Sequence, residues 1–362
     1  MKKRNKSSEL TDTYRRRILQ IVNLLEKKMS TKTTINDIAR LAGVSKATVS
    51  YYLNGKVSKM SAETAETIKD AIEKTGYVPN GLARSLSVRH TKMLGVVIGD
   101  VSNSFSSQVL KGIDSFASKK GYQMILGSSD YIAEKESSYL RSMEAMDVDG
   151  FIIQPTILFA ESGFESDKPL VMLDSPVERN AELWVKTDNF NAVRDGLNSM
   201  LARGYKRYIM ISADPSVLAA RMERYQGFMK FLEENRLRGE VIIADNDTPE
   251  AEIRNKIGDF RNETTLVFVG NGWLSAKVYS ALSEFRHLIP QQLGILGFDA
   301  FSWASFVSPS ISTIEQPAFE EGEMATRILI ERIEGRRETP SQMILKSILQ
   351  ERESTNRQSK SE

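Results

Sequence analysis

Lys46, Ala47, Ser50 and Tyr51 share one face of a helix-spaced stretch, Thr34–Leu53 (TINDIARLAGVSKATVSYYL). The set is small and polar, of a kind that enters a DNA major groove, where side chains read base edges. Thr34, Ser50 and Asn54 are expected to hold phosphates or orient the helix, and Ser45 and Thr48, in its first turn, are counted with them as DNA-facing. A second set comes later. Asn103, Phe105 and Asp130 follow apolar runs, as do Asn271 and Asp299, while Arg224 heads an Arg-Tyr-Gln-Gly-Phe segment. Carboxylates and amides pair with ligand hydroxyls, a guanidinium forks onto a hydroxyl pair or a carboxylate, and a phenyl ring covers a ring face. Trp273 and Trp303 are secondary candidates for that role.

The first set needs two short helices and a tight turn. Ile35, Ile38, Ala39 and Ala42 recur at helical spacing, with Asp37 three residues after a capping Thr34. Gly43 supplies the positive φ that a helix C-terminus commonly needs, and Ser45 caps a second helix whose buried face is Val49, Tyr52 and Leu53. Asn54-Gly55 makes a turn. Ser61 then caps a third helix, with Ala65, Ile68 and Ile72 inward, which Gly76 closes and Pro79 terminates. Upstream, Tyr14–Lys28 carries an apolar stripe (Ile18, Ile21, Val22, Leu25) beside Arg15–Arg17. That predicts an added helix packed on the head, or an arm that touches phosphates.

Charge agrees with this division. Residues 1–92 hold 19 Lys and Arg against 8 Asp and Glu, a balance of +11, so the remaining residues carry −9. A basic head on an acidic body suits a polyanionic partner. With no cysteine and only two histidines, His90 and His287, thiolate chemistry is excluded and a histidine relay or metal site is disfavoured. No apolar run is long enough to cross a bilayer, and the basic N-terminus lacks the apolar segment of a secretory signal.

The stretch Ala39–Asn54 spells AxxAGVSxxTVSxxLN, and GYVPN (Gly76–Asn80) and LARSL (Leu82–Leu86) follow. These motifs resemble the helix-turn-helix, third-helix exit and hinge helix of the lactose-repressor (LacI/GalR) family. The resemblance extends to about Arg336. It implies a small all-α helix-turn-helix head plus an α/β core of two parallel-sheet lobes, like that of periplasmic binding proteins. It further implies a homodimeric, non-enzymatic regulator, cytoplasmic and nucleoid-associated, with an operator duplex and a sugar, sugar-acid or sugar-phosphate effector as partners and no cofactor. In the hinge, Asn80, Ala83 and Leu86 would approach DNA, with Leu86 as the minor-groove wedge. The family's effector contacts match Asn103, Phe105, Asp130, Arg224, Asn271 and Asp299 by position. Tyr51 departs from the arginine that many members carry, so operator sequence does not transfer. Gly99–Ser107, Phe298-Asp299 and Trp303-Ala304 resemble the sugar-acid branch, which includes regulators of 2-keto-3-deoxygluconate use.

From Lys92 the chain alternates short apolar strands with helices. Strands are expected at Met93–Asp100, Tyr122–Ser129, Gly150–Pro155 and Pro169–Ser175, then at Arg207–Ser212, Val241–Asp245, Thr265–Gly270 and Leu293–Asp299. Two such series predict two α/β lobes, with strand Thr313–Glu315 and helix Phe319–Glu334 completing the pair. The expected divisions are an extension at 1–32, a head at 33–79, a hinge at 80–91, a core at 92–350 and a disordered polar tail at 351–362. One enzyme-like motif stands out: Gly270-Asn271-Gly272-Trp273-Leu274-Ser275 mimics a dinucleotide fingerprint. Ser275 replaces its third glycine and Trp273 fills the turn where a pyrophosphate would approach, so nucleotide chemistry is rejected.

Overall fold

The computed structural model describes residues 33–53, 55–77, 90–176, 182–258, 263–299 and 303–357. The expected helix at 14–28, Asn54, and the hinge residues Asn80, Ala83 and Leu86 lie outside the described residues. The chain divides into two compact units, Met1–Arg89 and His90–Glu362.

In the first unit, α1 (Ile35–Leu41) opens on a capping box: Asp37 N donates to Thr34 Oγ1, and Thr34 N to the Asp37 carboxylate. Gly43 turns the chain at φ +67°. In α2 (Lys46–Leu53), Thr48 N donates to Ser45 Oγ at 3.1 Å. In α3 (Ala62–Thr75), Ser61 caps the start and Gly76 closes the end at φ +61°. Ile38, Ala39, Ala42, Val49, Ile68 and Ala71 make up the buried core. Six residues, three of them alanine, bury little apolar area, so the head has a thin stability margin.

The second unit holds two six-stranded sheets. The first contains β1 (Met93–Ile98), β2 (Gln123–Ser128), β3 (Gly150–Ile153), β4 (Leu170–Leu173) and β5 (Trp184–Thr187). The second contains β6 (Arg207–Ser212), β7 (Arg238–Ile243), β8 (Thr265–Val269), β9 (Leu293–Phe298) and β10 (Ser312–Glu315). Late strands β11 (Gln342–Leu345) and β12 (Ile348–Gln350) add one edge to each, giving orders β11-β5-β4-β3-β1-β2 and β12-β10-β9-β8-β6-β7. Pairing is parallel throughout except between β10 and β12. Near-continuous Val, Ile and Leu in the central strands follow from burial on both faces. The strand expected at Val241–Asp245 begins three residues earlier, at Arg238. There Arg-Gly-Glu pairs along β6 as an outer strand, whose exposed face tolerates charge.

Helices α4 (Ser104–Lys119) and α5 (Ala133–Ala145) cover the first sheet. The second sheet is covered by α6 (Asn189–Met200), α7 (Ala219–Asn235), α8 (Glu250–Ile257) and α9 (Gly272–Ala281). One placement was left open by the sequence, and one expectation needs correction. Helix α10 (Ala318–Ile333) follows the last parallel strand of the second lobe but covers the first. Its Ala325, Ile328, Leu329 and Ile330 pack with Leu94, Val96 and Val171 of the first. Gly112 and Gly322 let its backbone approach α4: a Cβ at Gly322 would lie 2.1 Å from Val109 O, and one at Gly112 2.0 Å from Phe319 O. The chain thus passes between lobes after β5, after β10 and again between β11 and β12.

The correction concerns the tail. Residues 351–357 are ordered against the second lobe, with Ser354 and Thr355 fully buried. Ser354 Oγ accepts from Ser312 N at 2.8 Å and donates to Ile295 O, while Arg352 Nη1 donates to Ile311 O at 2.8 Å. Polar composition misled here because the segment satisfies a sheet edge through hydrogen bonds rather than apolar contact.

Candidate functional site

On the head, the caps that form α2 also fix which side chains face out. Val49 is fully buried, with Tyr52 and Leu53 partly so, and Lys46, Ala47 and Tyr51 are exposed. Ser50 is half-buried. The Tyr51 ring stands beneath Lys59 Nζ at 5.0 Å, which places a cation next to the reading face. Thr34 and Ser45 spend their side-chain oxygens on caps, and Thr48 Oγ1 lies 2.9 Å from Ser45 Oγ. Thr34 thereby fixes the start of α1, and Ser45 that of α2.

In the core, the carboxyl ends of the two sheets face a common cleft whose empty volume, solvent at its mouth included, is ≈ 370 Å³. Its walls include Asn103, Phe105, Tyr131, Asp174, Arg221, Arg224, Asn271, Trp273, Asp299 and Gln316. Five of the six residues expected from sequence therefore converge. Asn103 caps α4, accepting from Phe105 N at 3.1 Å. Asn271 Oδ1 accepts from Ala213 N at 2.8 Å, tying β8 to the end of β6. Arg224 Nε donates to Asn189 Oδ1 (2.7 Å) and Nη1 to Gly270 O (3.0 Å), with the guanidinium 3.8 Å from the Phe298 ring centroid.

Asp130 does not join them. It is exposed and bound to Lys135 at 2.7 Å. Asp130 and Tyr131 both take positive φ, +53° and +59°, so the chain turns one side chain out and the next in. Tyr131 fills the position instead, above Gly99, where a Cβ would lie 2.0 Å from the ring. Of the secondary aromatics, Trp273 lines the cleft. Trp303 packs in the second-lobe core, 6.1 Å from the Tyr279 ring.

Asp174 and Asp299 are counterparts, each one residue past the fourth strand of its lobe, at φ +62° and +56°. Burial raises the pKa of both, against the pull of Arg224, and brings Asp299 to about 6. Gln316 N donates to Asp299 Oδ1 at 2.9 Å and its Nε2 to Oδ2. Gln154 Nε2 donates to Asp174 Oδ2 at 2.8 Å, leaving Asp174 Oδ1 buried without a partner. Gln316 Oε1 is likewise unpartnered. Behind the cleft, burial and the nearby Asp174 push Glu321 well above the usual carboxylate range. Unmet acceptors at the wall suit a ligand rich in hydroxyl donors.

Sequence reasoning missed Tyr131, Gln154, Asp174, Arg221 and Gln316. Two left a legible signal. Asp174 ends Pro-Leu-Val-Met-Leu-Asp as Asp299 ends Gly-Ile-Leu-Gly-Phe-Asp, and Arg221 lies one helical turn before Arg224. Cross-lobe contacts join the walls: Ala220 N donates to Ser175 Oγ at 3.2 Å, and Ile157 N to Val217 O at 3.1 Å. Among the described residues no group of acidic, histidine or cysteine side chains is arranged to hold a metal ion. No described helix is long and apolar enough to cross a membrane.

Comparison with known proteins places both halves. Residues 34–80 match the model for bacterial regulatory proteins of the lacI family, and residues 91–256 that for periplasmic binding proteins and the sugar binding domain of the LacI family. Residues 197–355 match a periplasmic binding protein-like domain. The HTH-type transcriptional regulator KdgR of Bacillus subtilis is 30% identical over 333 residues, 89% of this chain and 98% of the relative. The lac repressor dimer bound to operator and the anti-inducer ONPF superposes with a TM-score of 0.77 at 22% identity, covering 90% of this chain and 99% of that one. A periplasmic binding protein/LacI transcriptional regulator from Alkaliphilus metalliredigens, complexed with D-xylulofuranose, gives 0.64 at 27% identity, covering 73% and 98%. The chain belongs to the lacI family of bacterial regulatory proteins.

Proposed function

We propose that this protein is a homodimeric, cytoplasmic transcriptional repressor. Helix α2 reads the major groove of an operator half-site, and a small sugar or sugar acid in the cleft sets operator affinity. The observation that carries this is the pairing, in one chain, of a helix-turn-helix whose two helices each start on a side-chain cap with a cleft of buried hydroxyl-binding groups. Lys46, Ala47 and Tyr51 face bases, and Thr34, Ser45, Thr48 and Ser50 orient the helix or meet phosphates. Asn54, Asn80, Ala83 and Leu86 complete the DNA-facing set, with Leu86 as the wedge. In the cleft, Asn271, Asp299 and Arg224 grip hydroxyls while Phe105 and Trp273 cover the ring. Dimerisation is supported by exposed apolar side chains on the outer strands, Leu126 of β2 and Ile243 of β7.

A thermal-shift screen of sugars, sugar acids and sugar phosphates on the purified protein tests the cleft. At least one should raise the melting temperature in a dose-dependent way. A flat response across all three classes, from protein that still binds duplex DNA, would remove the effector half of the reading.

A further inference from the structure

Arg224, the arginine that sequence reasoning offered for a carboxylate, is already committed to Asn189, Gly270 and the Phe298 ring. The other cleft arginine is in a different position. Arg221 is 7% exposed and lines the cleft, and its guanidinium stands 4.7 Å from the Tyr131 ring centroid. No described carboxylate comes within ion-pair distance of it. Asp174 attracts it only from beyond that distance and is bonded through Oδ2 to Gln154, exposed Asp214 is bonded to Ser216, and the guanidinium's near partner is Tyr131. A buried guanidinium stays charged, and a buried charge without a counter-charge is costly.

A second observation falls on the same wall. Arg221 lies in the first turn of α7, a helix of 17 residues whose start has no side-chain cap. Of its first backbone N–H groups that of Ala220 is taken by Ser175 Oγ at 3.2 Å, and the positive end of the helix dipole stands beside the guanidinium. Leu218 and Ala220 of that turn also line the cleft. Burial raises the pKa of Asp174 and of Asp299 on the same wall, against the pull of the arginines.

We infer that Arg221, at the start of α7, forms an anion anchor that selects a carboxylate-bearing sugar acid over the neutral sugar of the same skeleton. This rests on the effector reading above and narrows it. The ligand carboxylate supplies Arg221 with a counter-charge at ion-pair distance, while its hydroxyls meet Asp174 and Gln316. Phe105 and Asn271 then serve either kind of ligand, and Arg221 alone decides between them.

The test is calorimetric titration of the full-length protein with matched pairs: D-galacturonate against D-galactose, D-gluconate against D-glucose, and 2-keto-3-deoxy-D-gluconate. Wild type should bind an acid about 10- to 100-fold more tightly than the neutral member. Arg221→Gln should lose most of that preference while keeping its neutral-sugar affinity, and Arg221→Lys should recover part of it. Equal binding of acid and neutral sugar by wild type would overturn the anchor and leave the sugar cleft standing. So would undiminished acid binding by Arg221→Gln. If no member of either class binds protein that still takes up duplex DNA, the effector reading fails and the anchor with it. Should Arg221→Gln not fold, the wild-type pairs and Arg221→Lys decide.

Discussion

Asp299 holds a left-handed conformation, φ +56°, just past β9, and its carboxylate is almost wholly removed from water. Few residues other than glycine tolerate that backbone, and asparagine is the best substitute of similar shape. Asp299→Asn should therefore fold, keep basal operator binding and lose most of the effector response, measured as the ligand-induced change in operator affinity. A full response would move the site elsewhere. Glu136 makes a separate pH prediction. It is fully buried, accepts from Thr156 N at 3.0 Å, and is pushed up to about 7 by burial. A carboxyl raised in the folded state stabilises the protein below its unfolded pKa, and that contribution is lost as pH rises through the folded value. Glu136→Gln should accordingly gain stability over wild type as pH climbs from about 4.5 to 7, by about 1–3 kcal/mol. Urea unfolding at pH 5 and pH 8 reads it; a difference that does not change with pH would contradict it. At this scale the sequence was only partly informative. Asn103, Phe105, Arg224, Asn271 and Asp299 could be found by their places at strand ends and in a motif. Tyr131 could not, because its aim depends on a two-residue left-handed turn, and Arg221 left only its spacing from Arg224 as a signal.

Among the elements, α2 is the most legible from sequence, since caps, glycine turn and apolar spacing agree on where it starts and which face is buried. Lys46→Ala or Tyr51→Ala should change base preference at a few operator positions by about 1–3 kcal/mol, with little change in salt slope. Binding to shuffled and selected duplexes across a salt series separates the two. A uniform loss on every sequence would make these residues phosphate contacts instead. Helix α10 was located from sequence but could not be assigned to a lobe, because an amphipathic stripe says that a partner exists and not which one. The close approach of α4 and α10 supplies the answer, and a prediction. Gly322→Ala drives a methyl into Val109 O and should cost roughly 2–4 kcal/mol. Tryptophan fluorescence during urea unfolding monitors the core, where Trp184, Trp273 and Trp303 all lie. An unchanged midpoint would mean that the two helices can part.

In the whole molecule, the paired parallel sheets were readable because fully buried strands must be continuous Val, Ile and Leu. The three passages of the chain between lobes were not, since each is a connector of a few polar residues. Those passages matter for function. Gln316 lies on one of them and holds Asp299, so a ligand that grips Asp299 acts on a point where the lobes join. An effector that favours one lobe arrangement shifts operator affinity only by its differential binding to the two, and about 1–3 kcal/mol, roughly 5- to 150-fold, is enough for a switch. The direct test is fluorescence anisotropy of the full-length protein on a duplex selected from a randomised pool, with and without a ligand that the cleft binds. Tight, salt-sensitive binding that prefers the selected over a scrambled duplex, and moves at least about 5-fold when the cleft is saturated, is the predicted result. Equal affinity for the two duplexes at low ionic strength, or operator affinity indifferent to a saturating cleft ligand, would contradict it.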